Sequence, residues 1–203
     1  MKIVKISSGT SSDRIVATLD TGEKLRMSRL IAAQYGVAEG AEIAEESALR
    51  AAAAQWAARD RAVRIVAASN VSQTALRRKL KQKGVDQPLA DEAAEWLGDL
   101  GLVDDRRAGE SVVRSGLAKG YGAHRIRQML YEKDIPREYW EELLSDLPPM
   151  DDAVDRLLRQ KLGANADEKA VKKAVDALLR YGHSWEDIKA GLRRMQADLE
   201  DLE

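Results

Sequence analysis

Eight cationic side chains crowd one short stretch of this chain. Arg59, Arg61, Arg64, Arg77, Arg78, Lys79, Lys81 and Lys83 face one carboxylate in the same run, Asp60. Guanidinium and ammonium groups at this density could contact phosphates and release counterions. The same run could equally be a solvated helix face paired with carboxylates from elsewhere, and both readings stand. Leu76 and Leu80, at helical spacing, set a buried side. Arg77, Arg78 and Lys81 are then expected together on an exposed face, since residues three and four apart are helix neighbours.

A second set is Lys119, Tyr121, Arg125 and Arg127, around Gly120 and Gly122. The glycines permit a tight loop whose amides could approach a phosphate, or a loop before a helix N-terminus with no functional role. Tyr121 could stack on an exposed base or simply cover the loop. The carboxylates Asp86, Asp91, Glu92, Glu95, Asp99, Asp104 and Asp105 follow the basic run. Pairing with the neighbouring arginines is the favoured reading for most of them, and helix capping for Asp104 and Asp105. Paired carboxylates could also do acid–base or metal chemistry, but no histidine lies close to them in sequence. The two histidines, His124 and His183, read as surface or helix-end residues. Trp56, Trp96, Trp140 and Trp185 read as anchors between helices. No catalytic residue, metal site or cofactor is expected.

These residues sit on a repeated helical phrase. ALRRKLKQKGV at Ala75–Val85 returns as HRIRQMLYEKDI at His124–Ile135 and, more loosely, as AVDALLRYGHS at Ala174–Ser184. Gly84, Asp134 and Gly182 align, so the period is close to fifty residues. Self-similarity at this scale marks tandem copies of one supersecondary unit, and stacked copies make long binding surfaces. Helix stops at Gly84, Gly101 and Gly182, Pro88 in a first turn, Pro136 opening a helix with Trp140, Leu143, Leu144 and Leu147, and Pro148-Pro149 as a break divide the helical part. The expected domains are three-helix sets over 46–103, 104–149 and 150–203. In the first, a long helix over Ala48–Ala68 places Leu49, Trp56, Val63 and Ile65/Val66 on or near one face. Glu200–Glu203 reads as a frayed tail.

Residues 1–45 differ. Lys2–Ile6 and Arg14–Leu19 are β-branched and partly alternating, Ser7–Asp13 reads as a flexible connection, and Asp20–Glu23 as a hairpin turn into a strand over Glu23–Met27. Ser28 is placed to cap a short helix through Gln34, stopped by Gly36. The predicted fold is mainly α: tandem three-helix repeats in an elongated array, preceded by a small β-rich module.

The chain is 203 residues with 33% charged side chains, yet its net charge is −1. Binding to a polyanion must therefore come from local patches. With no cysteine, disulfides and thiolate metal sites are excluded, which fits a reducing cytoplasm. No apolar run approaches the ~18 residues of a membrane span, and the first residues do not read as a signal peptide.

The stretch Leu102–Ile135 resembles the core of the RecX regulatory proteins. The resemblance rests on Leu102 with Asp104 and Asp105, Ala108, then Gly120, Gly122, Arg125, Ile126, Leu130, Lys133 and Ile135 in order. The phrase ALRRKLKQKG is similar to the family's first-repeat phrase, and residues 1–45 to an extension that some members carry. Asp134 stands where the family usually has Gly, and Arg107 where an aromatic is usual. The resemblance implies a non-enzymatic modulator of the RecA recombinase that lodges in the groove of the RecA–DNA filament. Most members inhibit filament growth, strand exchange, ATP hydrolysis and LexA cleavage. The implied partners are the RecA filament and single- and double-stranded DNA, with no membrane and a monomeric state. A DNA-binding helical-repeat protein independent of RecA is the alternative.

Overall fold

The computed structural model describes residues 1–8, 13–162 and 167–200, with side chains through 196. It divides into two compact units, Met1–Ser69 with Leu76–Val103, and Asn70–Ala75 with Asp104–Glu203.

In the first unit, β1 (Ile3–Ser8), β2 (Arg14–Leu19) and β3 (Lys24–Ser28) form an antiparallel sheet in that order. Ala17 pairs with Ile6 and Leu25, and the β1 register shifts between Ile3 and Lys5. Side chains alternate across a sheet, so Ala17, Leu19, Leu25 and Met27 share one buried face. The turn after Leu19 closes with the Gly22 amide donating to the Leu19 carbonyl at 2.9 Å. Ser28 ends β3 and caps α1 (Arg29–Gln34), its hydroxyl accepting from the Ile31 amide at 3.2 Å. The buried sheet face packs with Ala32 and Ile43 against Leu49 and Ala53 of α2 (Glu46–Ala68). The predicted Ser7–Asp13 connection falls mostly on residues 9–12, outside the described residues, and Ser7 and Ser8 belong to β1.

Helix α2 is long because it is rich in alanine, the strongest helix former. Its buried stripe is Leu49, Ala53, Ala58 and Ala62. Val63, expected near the apolar face, is 42% exposed. Small side chains let α2 pack closely with α4 (Gln87–Asp99), which buries Ala90, Ala93, Ala94 and Leu97. Helix α3 (Gln73–Gln82) buries Leu76 and Leu80 completely.

The second unit holds α5 (Asp105–Ala118), α6 (Ala123–Glu132), a 3-10 turn (Arg137–Tyr139) leading into α7 (Trp140–Ser145), then α8 (Asp151–Lys161), α9 (Glu168–Arg180) and α10 (Trp185–Glu200). Pro136 introduces the 3-10 turn rather than opening a helix directly, and Leu147 lies beyond the end of α7. Two apolar clusters result, one around Ala108, Leu130, Ile135 and Leu143, the other around Val154, Leu158, Leu178 and Ile188. Asp104 caps α5 by accepting from the Arg107 amide at 2.9 Å. Asp105 caps a different helix: its carboxylate accepts from the Gln73 amide at the start of α3, at 2.7 Å. Asp167 and Ser184 cap α9 and α10. The expected frayed tail over 200–203 lies outside the described residues except for Glu200, the last residue of α10. Among the described residues no helix is long and apolar enough to cross a membrane.

Candidate functional site

The three copies of the repeated phrase end in the same way. The amides of Gly84, Asp134 and Gly182 donate to the carbonyls of Lys81, Tyr131 and Leu179. The next amides, Val85, Ile135 and His183, reach back to Leu80, Leu130 and Leu178 at 3.1, 3.0 and 3.1 Å. Those leucines are fully buried. This double closure needs a left-handed residue, and φ is 78°, 53° and 85° at the three positions. Asp134 thus adopts the glycine conformation, a state Asp tolerates better than most residues.

What surrounds each copy differs. Around α3 the cations separate into groups instead of forming one face. Arg77 is half-buried and pairs with Asp91 at 3.3 Å and Glu95 at 3.8 Å. Arg59 pairs with Glu92 at 2.6 Å, with its guanidinium carbon 5.0 Å from the Trp96 ring centroid. Helix α4 therefore returns the carboxylates missing from the linear run. Arg78 and Lys81 are exposed; Lys81 stands one helical turn from Arg77, but Arg77 differs from both in being half-buried with its guanidinium engaged by α4 carboxylates. Arg61, Arg64, Lys79 and Lys83 line a groove between the ends of α2 and α3, and no carboxylate lines it. Arg61 is oriented there by donating to the Lys83 carbonyl at 2.6 Å, while Arg64 also reaches Asp60 on its own helix.

The second set has another organisation. Gly120 and Gly122 do not present free amides to a phosphate, because the first donates to Leu117 and the second to the Tyr181 carbonyl at 2.9 Å. A Cβ at Gly122 would strike the Gly182 carbonyl and the His183 amide, and one at Gly182 would strike the Arg125 backbone. The two glycines let the start of α6 and the end of α9 touch backbone to backbone. His183, read as a surface or helix-end residue, does close the end of α9 but is 2% exposed, with Nε2 3.0 Å from the Gly120 carbonyl. A carbonyl only accepts, so Nε2 carries the proton, which leaves Nδ1 bare, buried and without a partner. Burial pushes its pKa below the ordinary imidazole value, against smaller opposing effects of the Gly120 bond and Asp187. Tyr121 is half-buried, packs edge-on to Tyr181 with centroids 5.4 Å apart, and lies under Arg125 at 5.8 Å. Arg125 also bonds Glu132 at 3.0 Å. Lys119, His124 and Arg127 are exposed. This arrangement is a joint first, and the Gly-x-Gly spacing is explained by contact with the third copy's helix end.

Of the four tryptophans read as anchors between helices, Trp140 packs against the Ala108, Leu130, Ile135 and Leu143 cluster and donates its indole N–H to the Ile135 carbonyl at 2.9 Å. Trp185 is 53% exposed, and Trp56, Trp96 and Trp140 are half-buried with an arginine over each ring. In the sequence Gly122 stands out only as part of a loop and Gly182 only as a helix stop, with no signal that they meet. Among the described residues no cluster of three or more His, Asp or Glu side chains could hold a metal.

Tandem helix sets closed by the same turn define a helical-repeat protein with a β module. Residues 104–144 match the family model for the RecX second three-helix domain. The regulatory protein RecX of Cronobacter sakazakii is 31% identical over 152 residues, covering 68% of this chain and 91% of that protein. The RecX of Halorhodospira halophila is 29% identical over 151 residues, covering 73% and 94%. Solved structures agree in fold: a RecX crystal structure superposes with TM-score 0.65 at 21% identity over 93% of this chain, and the Lactobacillus salivarius RecX with 0.64 at 18% over 71%. The chain belongs to the RecX regulatory protein family.

Proposed function

We propose that this protein binds the RecA–DNA filament and restrains recombinase activity by occupying the filament, without catalysing a reaction. The observation that carries the reading is the groove of Arg61, Arg64, Lys79 and Lys83, four cations with no carboxylate in the lining. In a chain of net charge −1, such a groove concentrates positive potential against an acidic protein surface or a phosphate backbone. Arg78 and Lys81 extend the charge on the exposed side of α3, and Lys119 and Arg127 supply lesser contacts on the second unit. Arg59, Arg77 and Arg125 hold the framework through their carboxylate and ring contacts. Action on a DNA-bound recombinase implies the cytoplasm, and the relatives named RecX regulatory proteins support the partner.

The test is a titration into RecA on single-stranded DNA, read as ATP hydrolysis. Saturable inhibition is expected as the protein approaches stoichiometry with RecA. Unchanged hydrolysis at stoichiometric excess contradicts the reading.

A further inference from the structure

We propose that the groove between the edge strand β3 and helix α2 in the first unit binds single-stranded DNA directly, making the β module a nucleic-acid contact. Its place in filament regulation rests on the reading above, but its chemistry does not.

Arg14, Lys24, Arg26, Arg50, Arg61 and Arg64 line this groove, opposed by Glu23 and Asp60. Both carboxylates act as ties between sheet and helix. Arg14 donates twice to Asp60 from Nη2, at 2.7 and 3.0 Å, and Arg50 donates twice to Glu23 from Nη1, both at 2.7 Å. Arg50 and Asp60 lie about 15 Å apart along α2, so the groove is braced at two separated points. Bracing of this kind preorganises a site and lowers the cost of binding.

After those ties, positive charge remains in excess. Lys24 and Arg26 alternate outward on β3 while Leu25 and Met27 point into the core. Both are exposed, and neither has a carboxylate partner among the described residues. Arg61 and Arg64 also line the groove at the end of α3, so the cationic track continues from the β hairpin to Lys79 and Lys83.

The lining also contains one aromatic ring, Trp56, half-buried beside the alanines 53, 54 and 57. The Arg14 guanidinium, held by Asp60, lies over this ring with its carbon 5.9 Å from the centroid. A continuous cationic track suits a single strand, whose flexible backbone lets its phosphates follow the charge. Neither Asn nor Gln lines the groove, so the expected binding is indifferent to sequence. Charged side chains on an edge strand oppose addition of another chain's strand, which disfavours an extended peptide as the occupant.

The experiment is fluorescence anisotropy of a labelled oligothymidylate with the full chain and no RecA, between 50 and 200 mM salt, about the range in which phosphate contacts dominate. Lys24→Gln with Arg26→Gln is expected to weaken binding about tenfold and to reduce the salt slope by about 1.4, at about 0.7 per lost phosphate contact on a single strand. A control pair on the second unit, Lys172→Gln with Lys189→Gln, is expected to bind as the parent does. Trp56→Phe is expected to lower the quenching of tryptophan emission by the oligonucleotide. Parent-like affinity and slope in the Lys24/Arg26 variant overturn the proposal, as does equal weakening in the control pair. Tighter binding of a duplex of the same length, or displacement by polyglutamate with no oligonucleotide binding, also overturns it. Because RecA is absent, these outcomes are separate from the ATPase result.

Discussion

Gly84 and Gly182 occupy the same place in two copies of one helical phrase, each left-handed and each closing a helix onto a buried leucine. Their surroundings are opposite. A side chain at Gly84 would meet open space, whereas one at Gly182 would meet the Arg125 backbone. The first copy leaves its helix end open beside a cationic groove, and the third seals its end against α6. One backbone device thus serves an accessible surface in one place and a packed joint in another. The difference lies in the side chains around the device, not in the device.

The largest test of this contrast is stability. Gly182→Ala combines left-handed strain with backbone collision and is expected to cost about 3 kcal/mol or more. Gly84→Ala carries the conformational cost alone, about 1 kcal/mol. Urea denaturation of both variants measures the gap, and equal costs would erase the distinction. Lys79→Glu with Lys83→Glu is expected to weaken filament binding about tenfold, or about 1.4 kcal/mol, while changing stability by less than about 0.5 kcal/mol. A large loss of stability would mean that the groove is structural.

Smaller effects sharpen the middle copy. Asp134→Gly removes left-handed strain of about 1 kcal/mol but adds chain entropy to the unfolded state. A net gain of about 0.5 kcal/mol is expected in the same denaturation assay. For His183 the sign follows from its lowered pKa. The unfolded chain binds the proton more readily, so stability is full above the unfolded value near 6.5 and declines as pH falls below it. Denaturation midpoints between pH 8 and 5.5 should show that decline, and His183→Gln, whose amide can still donate to Gly120, should flatten it.

Much of the framework was legible in the chain because local chemistry sets it. Ser28, Asp104, Asp167 and Ser184 are caps with short side chains at helix starts. The turn glycines and the alternation of β2 and β3 are equally local. The site was less legible because charge pairing is tertiary. Arg59 and Arg77 stand in a basic run yet meet Glu92, Asp91 and Glu95 from a later helix. The Gly120–Gly122 loop suggested a phosphate cradle, but its amides are taken by Leu117 and Tyr181. His183 is buried because its neighbour Gly182 lets the chain pass close to α6, a contact without a local signature. Lys24 and Arg26 did carry one, since alternate positions on a strand point outward together, but they acquire meaning only once Arg61 and Arg64 lie across the groove from them.

The central claim is that partner binding belongs to the cationic side of the first copy. The most direct measurement compares the parent protein with the Lys79→Glu, Lys83→Glu variant in RecA-dependent ATP hydrolysis on single-stranded DNA. The account predicts inhibition by the parent and a shift of about tenfold to higher concentration for the variant, with thermal unfolding unchanged. Superimposable inhibition curves for the two proteins would contradict it.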